Sequence, residues 1–189
     1  DESTSMANFA ALFGFSVGDS LNYHFSDQDL DELLKIDGIQ AAYANYSTSA
    51  QVDFASNKRN VMIKRYADGF LDFYSYEIVA GRSLNDYEVD QRISAVVVDT
   101  IFVTTNSKYT TEEAVGKTFR INNRIFTIDG VIESDQRSLT GMILMDGIAY
   151  DSVFSKGTMT NVSVKVDPSK DLDEVSDSAT SFLNKRYGT

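Results

Sequence analysis

Apolar and polar positions alternate through residues 116–132 of the chain, GKTFRINNRIFTIDGVI. The alternation predicts two antiparallel strands joined by a tight turn at Asn122-Asn123. A two-residue turn of the primed type needs positive φ at both positions, and Asn accepts that conformation better than any residue except Gly. In this register Phe119 lies opposite Phe126, so one face of the hairpin carries a cross-strand aromatic pair. The segment carries no reactive side-chain pattern, and we expect it to serve as scaffold.

The same kind of pattern predicts elements along the rest of the chain. Alternation, or a short apolar run between polar residues, predicts strands at 21–25, 39–54, 60–66, 93–98, 142–145 and 161–166. Apolar spacing of three to four residues beside a capping or stop residue predicts helices at 6–17, 27–37, 69–77, 113–116, 149–154 and 172–186. Polar stretches predict turns or loops at 57–58, 104–111 and 134–141.

The clearest helix is the last one in the chain. Asp171 and Glu174 form a capping-box pattern at its start. Lys185 and Arg186 lie at its end, where the helix dipole favours cations. Its apolar positions recur at the spacing of one helical face and comprise Leu172, Val175, Ala179, Phe182 and Leu183.

The order of the predicted elements indicates an α+β fold. Strands and helices follow one another near both ends of the chain, whereas the middle is rich in strands. We therefore predict a discontinuous α+β lobe formed by residues 1–80 and 147–189, with a small β-rich lobe, residues 81–146, inserted into it. A length of 189 residues suits one ordinary domain or two small lobes.

The composition indicates a folded chain and excludes several classes of function. Hydrophobic residues are 42% and aromatic residues 12%, which predicts a packed core. The 17 Lys and Arg residues against 28 Asp and Glu residues give a net charge of −11, so we expect no nucleic-acid binding. The chain has no cysteine, which excludes disulfides, thiolate catalysis and zinc sites with sulfur ligands. Its longest apolar run, residues 6–17, is shorter than the roughly 20 residues that a bilayer-spanning helix needs.

The single histidine does not indicate a catalytic site. His24 lies in a predicted strand between Tyr23 and Phe25, and no nucleophile-elbow pattern occurs in the chain. We interpret His24 as a structural residue. A hydrolase that uses two carboxylates stays open as an alternative, because such a pair is brought together by the fold and has no sequence spacing.

Two further motifs are similar to ligand sites but lack an essential part. The GKT sequence at 116–118 is similar to the end of a phosphate-binding loop, but Thr111 stands where that loop requires glycine. The acidic runs at 27–32 and 171–177 lack the spacing of a calcium-binding EF-hand and are interpreted as helix starts. We therefore predict no catalytic, cofactor-binding or metal-binding residues.

A dense aromatic segment is the one candidate for an interaction surface. Phe70, Phe73, Tyr74 and Tyr76 lie within nine residues, and aromatic side chains are enriched at the centres of protein interfaces. The alternative interpretation, which we favour, is that Phe70, Phe73 and Tyr74 pack a short helix onto a sheet. Tyr76 is then the residue expected to be exposed.

The order of several short motifs resembles the extracytoplasmic core domain of MacB-type ABC-transporter permeases, a family related to FtsX. The similar segments are LDELLKIDGI at 30–39, DGFLDFYSYEIVAGR at 68–82, AVVVD at 95–99, EAVGK at 113–117, FTIDGVI at 126–132, NVSVKV at 161–166 and LNKRYG at 183–188. The resemblance covers residues 20–188. It implies that the discontinuous α+β lobe corresponds to the family's porter-like lobe and the insertion to its smaller lobe.

The resemblance also implies a function without catalysis. The domain would lie on the extracytoplasmic face of a bacterial membrane, as a fragment of a longer permease; the chain begins at Asp1-Glu2 without a basic leader. It would transmit conformational change from a separate cytoplasmic ATPase subunit to the export or extraction of a peptide-like substrate, such as an antimicrobial peptide or toxin. Its expected partners are a second permease copy, the ATPase and the substrate, with an adaptor protein as a further candidate and no cofactor. The alternative is a stand-alone cell-surface binding or sensing module.

Overall fold

The computed structural model describes residues 11–16, 27–67, 69–84, 94–134, 138–154 and 161–187. Within these residues the strands are β1 Ala11–Ser16, β2 Ile39–Asn45, β3 Ser47–Phe54, β4 Asn57–Tyr66, β5 Glu77–Gly81, β6 Ala95–Asp99, β7 Thr118–Ile121, β8 Arg124–Glu133, β9 Met142–Asp146 and β10 Asn161–Val166. The helices are α1 Asp27–Leu34, α2 Phe70–Tyr74, α3 Thr100–Asn106, α4 Thr111–Ala114, α5 Gly147–Phe154 and α6 Leu172–Tyr187. The predicted α+β class is confirmed.

The chain divides into two compact units. Asp1–Tyr46 and Thr158–Thr189 form what we call the two-segment unit, and Ser47–Gly157 form the continuous unit. The predicted boundaries of the insertion, residues 81 and 146, therefore need correction. The physical reason is sheet pairing: β3, β4 and β5 pair with β7, β9 and β8, so strands on both sides of residue 81 share one sheet.

The two-segment unit contains an antiparallel sheet with the strand order β1-β10-β2. Because side chains alternate along a strand, the valines of NVSVKV all project from one face. They pack with residues of α1, β2 and α6 in one core, which comprises Leu33, Ile39, Val162, Val164, Val166, Val175, Ala179 and Leu183. The predicted helix 172–186 is confirmed, but Leu172, expected on its apolar face, is 42% exposed.

Both ends of α6 are held by side chains. At its start the Asp171 carboxylate accepts hydrogen bonds from the backbone N–H groups of Asp173 (2.9 Å) and Glu174 (3.1 Å), as an N-cap does. At its end Arg186 Nε donates to the buried Asp29 Oδ1 at 2.8 Å, which ties α6 to α1.

The predicted helix 6–17 is wrong for the part that the structure describes, Ala11–Ser16, which is a strand. Phe13 and Phe15 pair in register with Val164 and Val162. Aromatic residues favour strands, and the intervening glycine disfavours a helix interior, so pairing with β10 overrides the apparent helical spacing. The predicted strand 21–25 lies outside the described residues.

The continuous unit is built on a closed ring of strands. Its sheet order is β5-β8-β6-β9-β4-β3-β7, and β7 pairs with β8 as well, so six strands form the ring and β5 is attached outside it. Pairs β4–β9 and β6–β8 are parallel, and the others are antiparallel. One face of the ring is filled with buried side chains such as Phe54, Ile63 and Phe119.

Short helices lie at the two ends of this ring. At the upper end, where β6 stops at Asp99 and β4 starts at Asn57, α3 follows directly after β6. At the lower end, where β9 stops at Asp146, α5 contacts β4 and β9. Ser47, at which the chain enters the unit, also lies at the lower end, because it pairs with Lys64 near the end of β4.

The hairpin predicted within residues 116–132 is confirmed. Asn122 and Asn123 have φ of 49° and 64°, and Phe119 pairs with Phe126 at a ring separation of 5.9 Å. Two other turn predictions are wrong. The turn predicted at 57–58 lies at Ala55-Ser56, with φ of 50° and 67°.

The polar loop predicted at 104–111 is the second wrong prediction. Its first three residues complete α3, because Phe102, Val103 and Asn106 are buried on one side of that helix. Thr104 and Thr105 therefore belong to a helix that is stabilised by the burial of its other side.

Candidate functional site

The predicted aromatic surface is largely interior. Phe70 is 0% exposed, Phe73 8% and Tyr76 9%, and Tyr74 alone is half-buried. The expectation that Tyr76 is exposed is wrong. Ser75 adopts a left-handed conformation at φ 55°, which ends α2 and turns the chain back, so the Tyr76 ring stacks on Tyr74 with centroids 5.5 Å apart.

A lysine completes the packing of this aromatic cluster. Lys64 Nζ lies 5.9 Å from the centroid of the Phe70 ring and 5.8 Å from that of Tyr74. A cation at that distance is attracted to the negative face of the ring. The cluster thus fastens α2 to β4, and only the outer part of Tyr74 is available as a surface.

A buried carboxylate, which the sequence analysis missed, organises the upper end. Asp99 is 0% exposed, and its Oδ1 accepts hydrogen bonds from the backbone N–H groups of Phe102 (2.8 Å) and Met142 (3.1 Å). Its Oδ2 accepts from Ser134 Oγ at 3.1 Å. Burial raises the pKa of Asp99, and these three hydrogen bonds oppose that rise. The carboxylate joins the start of α3, the start of β9 and the end of β8.

The loop between β8 and β9 fits tightly against this carboxylate. Gly141 has φ +82°, and a Cβ atom at this position would lie 2.2 Å from Phe102 N and 2.5 Å from Asp99 Oδ1. Asn106 Nδ2 donates to Thr140 O at 3.1 Å and to Phe102 O at 2.8 Å. The described end of the loop, residues 138–141, is held by these contacts, although Leu139 has 91% of its surface exposed.

An open cleft of about 480 Å³ lies at the upper end, and we call it the upper cleft. One wall is the turn 55–57, and the other comprises Thr105, Ser107, Lys108 and Tyr109. Asn57 joins the two walls, because its Nδ2 donates to Asn106 O at 2.9 Å and to Ala55 O at 3.3 Å.

Comparison with known proteins gives the family. The family model of the MacB-like periplasmic core domain matches residues 2–182. The chain belongs to this family. Its structure is similar to the periplasmic region of MacB from Actinobacillus actinomycetemcomitans, with a TM-score of 0.69, 19% identity and coverage of 94% of this chain and 84% of that one. It is also similar to the extracellular domain of YknZ, a noncanonic ABC-type transporter of Gram-positive bacteria, with a TM-score of 0.68, 16% identity and 94% coverage of both chains.

Two curated relatives agree with this assignment. The uncharacterized ABC transporter permease YknZ of Bacillus subtilis is 23% identical over 177 residues, which are 87% of this chain and 42% of the relative. The macrolide export ATP-binding/permease protein MacB of Hyphomonas neptunium is 25% identical over 169 residues, which are 86% of this chain and 26% of the relative. The chain thus spans less than half the length of either relative. It is an extracytoplasmic core domain of the MacB-like family.

Within this MacB-like domain the lower end carries a structural ion pair. Arg65 binds the Asp151 carboxylate through Nε and Nη2, both at 3.0 Å, and so joins β4 to α5. A Cβ atom at Gly147 would lie 2.7 Å from Arg65 Cζ, so glycine leaves the space that the guanidinium fills. The arrangement fastens the lower helix to the ring and leaves both charges paired.

The described part of the MacB-like domain contains no group of three or more His, Asp or Glu residues that could hold a metal ion. Among the same residues no helix is long and apolar enough to span a bilayer. His24 and the residue Asp68, predicted to cap α2, lie outside the described residues.

Charge differs between the two units of the MacB-like domain. By sequence, the two-segment unit carries 5 Lys and Arg against 13 Asp and Glu, a net charge of −8, and the continuous unit carries 12 against 15, a net charge of −3. An anionic ligand would therefore meet less repulsion at the continuous unit.

Proposed function

We propose that this domain transmits conformational change, driven by ATP hydrolysis in the cytoplasm, to the export or extraction of a peptide-like substrate such as an antimicrobial peptide or toxin. The observation that carries the proposal is the match to the MacB-like periplasmic core domain over residues 2–182, nearly the whole chain. The domain itself is not the catalyst in this proposal, because the ATPase lies on the other side of the membrane.

The construction of the continuous unit supports a mechanical role. A body that transmits displacement must resist local deformation, and packed protein interiors do so because they have few voids and low compressibility. Closing the strands into a ring removes free edges among six strands, and α3 and α5 are tied to the ring by Asp99 and by the Arg65–Asp151 pair. Force applied at one point would therefore move the unit as a body.

The partners follow from the same proposal. A second permease copy would face this one, and the ATPase would be a separate cytoplasmic subunit. The name of the Bacillus relative, an ABC transporter permease, agrees with a separate ATPase. The name of the Hyphomonas relative joins ATP-binding and permease functions. The alternative arrangement to test is therefore an ATPase domain in the same chain as the permease. An adaptor protein remains a further candidate partner, and the outer part of Tyr74 a candidate contact surface.

Distances between two copies of the domain test the proposal directly. The 189-residue sequence has no cysteine, so one introduced cysteine provides a unique spin-label position in this domain. Asn60→Cys on β4 and Ser178→Cys on α6 replace exposed residues of the two units. In the full-length permease with its ATPase, reconstituted in nanodiscs, we expect ATP to shift the inter-copy distance distribution for both labels.

The control is the same sample with an ATPase variant that cannot bind ATP, which should keep the nucleotide-free distance distribution when ATP is added. Distances that stay the same with and without ATP would contradict the transmission of conformational change. The peptide part of the proposal is tested separately, by ATPase stimulation with a panel of linear peptides, and an unchanged rate across the panel counts against it.

A further inference from the structure

The upper cleft is held open by a strained turn. Ala55 and Ser56 both have positive φ, 50° and 67°, which non-glycine residues adopt at a cost of about 1–2 kcal/mol each. Asn-Gly would form this type of turn more favourably. Strain of this kind persists where the surroundings enforce it, and here the Asn57 side chain enforces it by bridging the turn to the end of α3.

Three polar side chains that line the upper cleft have no hydrogen-bond or ion-pair partner among the described residues. Lys108 is the one charged residue among the described residues that line it, and it is exposed. Within the described parts of the chain Lys108 makes no ion pair, and the Ser56 and Thr105 hydroxyls make no hydrogen bond. The hydroxyl of Ser107 is already used, because it donates to Val103 O at 2.7 Å. The Lys108 ammonium can only donate, so a ligand that binds it must bring an acceptor, and a negatively charged acceptor suits it best; the Ser56 and Thr105 hydroxyls can donate to the same ligand.

The remaining wall of the upper cleft suits an apolar or aromatic neighbour of that charge. The Tyr109 ring packs on Phe54 with centroids 6.0 Å apart, which fixes it, and Lys117 Nζ lies 4.9 Å from its centroid. The volume of about 480 Å³ lies within the range of about 300–1,000 Å³ that is typical of ligand pockets and far exceeds the space that a single ion needs.

We propose that the upper cleft binds the carboxylate of a short peptide segment, with Lys108, Ser56 and Thr105 donating to the carboxylate and Tyr109 contacting the adjoining side chain. The carboxylate specificity rests on the donors of the cleft. The choice of a peptide as its carrier rests on the proposed function. The carboxylate is either the free C-terminus of the peptide or an Asp or Glu side chain.

Binding to the isolated chain tests this proposal without ATP, a membrane or a second subunit. The probes are acetyl-Ala-Tyr-Ala with a free carboxyl terminus, its C-terminal amide, and acetyl-Ala-Tyr-Glu-amide, which carries only a side-chain carboxylate. Chemical-shift changes of the backbone amides at 55–57 and 105–109 in the ¹⁵N-labelled chain report binding at the cleft. We expect at least one carboxylate-bearing probe to shift them in a saturable way, and the neutral amide to bind about two- to fivefold more weakly, as suits a solvent-exposed ion pair.

Two variants assign the effect to the cleft. Lys108→Gln removes the proposed cation and should weaken the carboxylate probe about two- to fivefold while leaving the neutral amide unchanged. Lys185→Gln removes one positive charge from the exposed end of α6 and should change neither affinity. Preference for the free acid assigns the C-terminal carboxylate, and preference for the Glu probe assigns the side chain.

Three results would overturn the proposal: no shift at 55–57 and 105–109 with any probe, equal binding of acid and amide, or full affinity in Lys108→Gln. None of them affects the transmission proposal, because the spin-label distances are measured independently of this cleft. Conversely, carboxylate binding would stand even if ATP left those distances unchanged.

Discussion

Replacing Asp99 with Ala tests whether one buried side chain holds the upper end of the ring together. The variant loses the cap of α3, because Asp99 Oδ1 accepts from Phe102 N at 2.8 Å. It also leaves the backbone N–H of Met142 without the acceptor that lies 3.1 Å away in the wild type. Ser134 Oγ loses its bond to Oδ2 as well, but this hydroxyl is half-buried and water can replace the carboxylate there.

The expected loss of stability follows from these contacts. Replacing an N-cap Asp by Ala costs about 0.5–2 kcal/mol. Leaving a buried N–H unsatisfied costs about 1–3 kcal/mol more. The free energy of unfolding should therefore fall by about 1.5–5 kcal/mol, which is a large part of the roughly 5–15 kcal/mol that a natural domain has.

Asp99→Asn is the matched control for this prediction. Its Oδ1 keeps both bonds to backbone N–H groups, and its amide nitrogen can donate to Ser134 Oγ, so we expect it to lose less than half as much as Asp99→Ala. Urea unfolding followed by circular dichroism gives the free energies, and hydrogen exchange of peptides from α3 and β9 locates the change. A loss below about 1 kcal/mol for Asp99→Ala would refute the reasoning, since a missing cap and an orphaned buried N–H together exceed that value.

Three further predictions use the same unfolding measurements. Gly141→Ala should destabilise the domain by about 2–6 kcal/mol, because both the left-handed φ and the contacts of the added Cβ are unfavourable. The control is Gly69→Ala, at φ +83° with no atom within 4 Å of the added Cβ, which should lose only about 1–2 kcal/mol of stability. Equal losses in the two variants would contradict the steric argument. Phe119→Ala and Phe126→Ala should each cost about 3–5 kcal/mol, and the double variant should cost less than the sum by about 0.5–1.5 kcal/mol, because the rings contact each other; strict additivity would count against that contact. Burial raises the pKa of Asp99, so its contribution is fully present below the ordinary Asp pKa of about 3.9 and is lost as the pH rises through the higher folded-state value. The stability of wild type relative to Asp99→Asn should therefore fall as the pH rises above about 4. A rise in relative stability over that range would show that the hydrogen bonds outweigh burial.

The elements that sequence patterns predicted well are those whose pattern is local. The hairpin at 116–132 carries its own turn residues and its own aromatic pair, so alternation and turn chemistry both indicate the same register. The helix α6 carries its cap, its apolar stripe and its C-terminal cations within 16 residues. Agreement between independent local signals made these two predictions correct.

The elements that the sequence predicted poorly depend on distant partners. Ala11–Ser16 is a strand because it pairs with β10, some 150 residues later in the chain, and nothing in its own six residues supplies that pairing. The strands β3 and β4 belong to the continuous unit because they pair with β7 and β9. A boundary drawn from local composition at residue 81 therefore divides a sheet that long-range pairing makes continuous.

The upper cleft could not have been predicted for a related reason. Its two walls, residues 55–57 and 105–109, are about 50 residues apart in sequence, and the bond that joins them, Asn57 to Asn106 O, follows no local periodicity. In sequence, Lys108 and Tyr109 belong to a polar stretch that looks the same as any solvated loop. Only closure of the ring turns this stretch into the wall of a cleft, so a binding site made of unused donors becomes visible after long-range pairing is known. The strained turn was not visible in the sequence either, since Ala55-Ser56 has neither of the residues, Asn or Gly, that such a turn ordinarily favours.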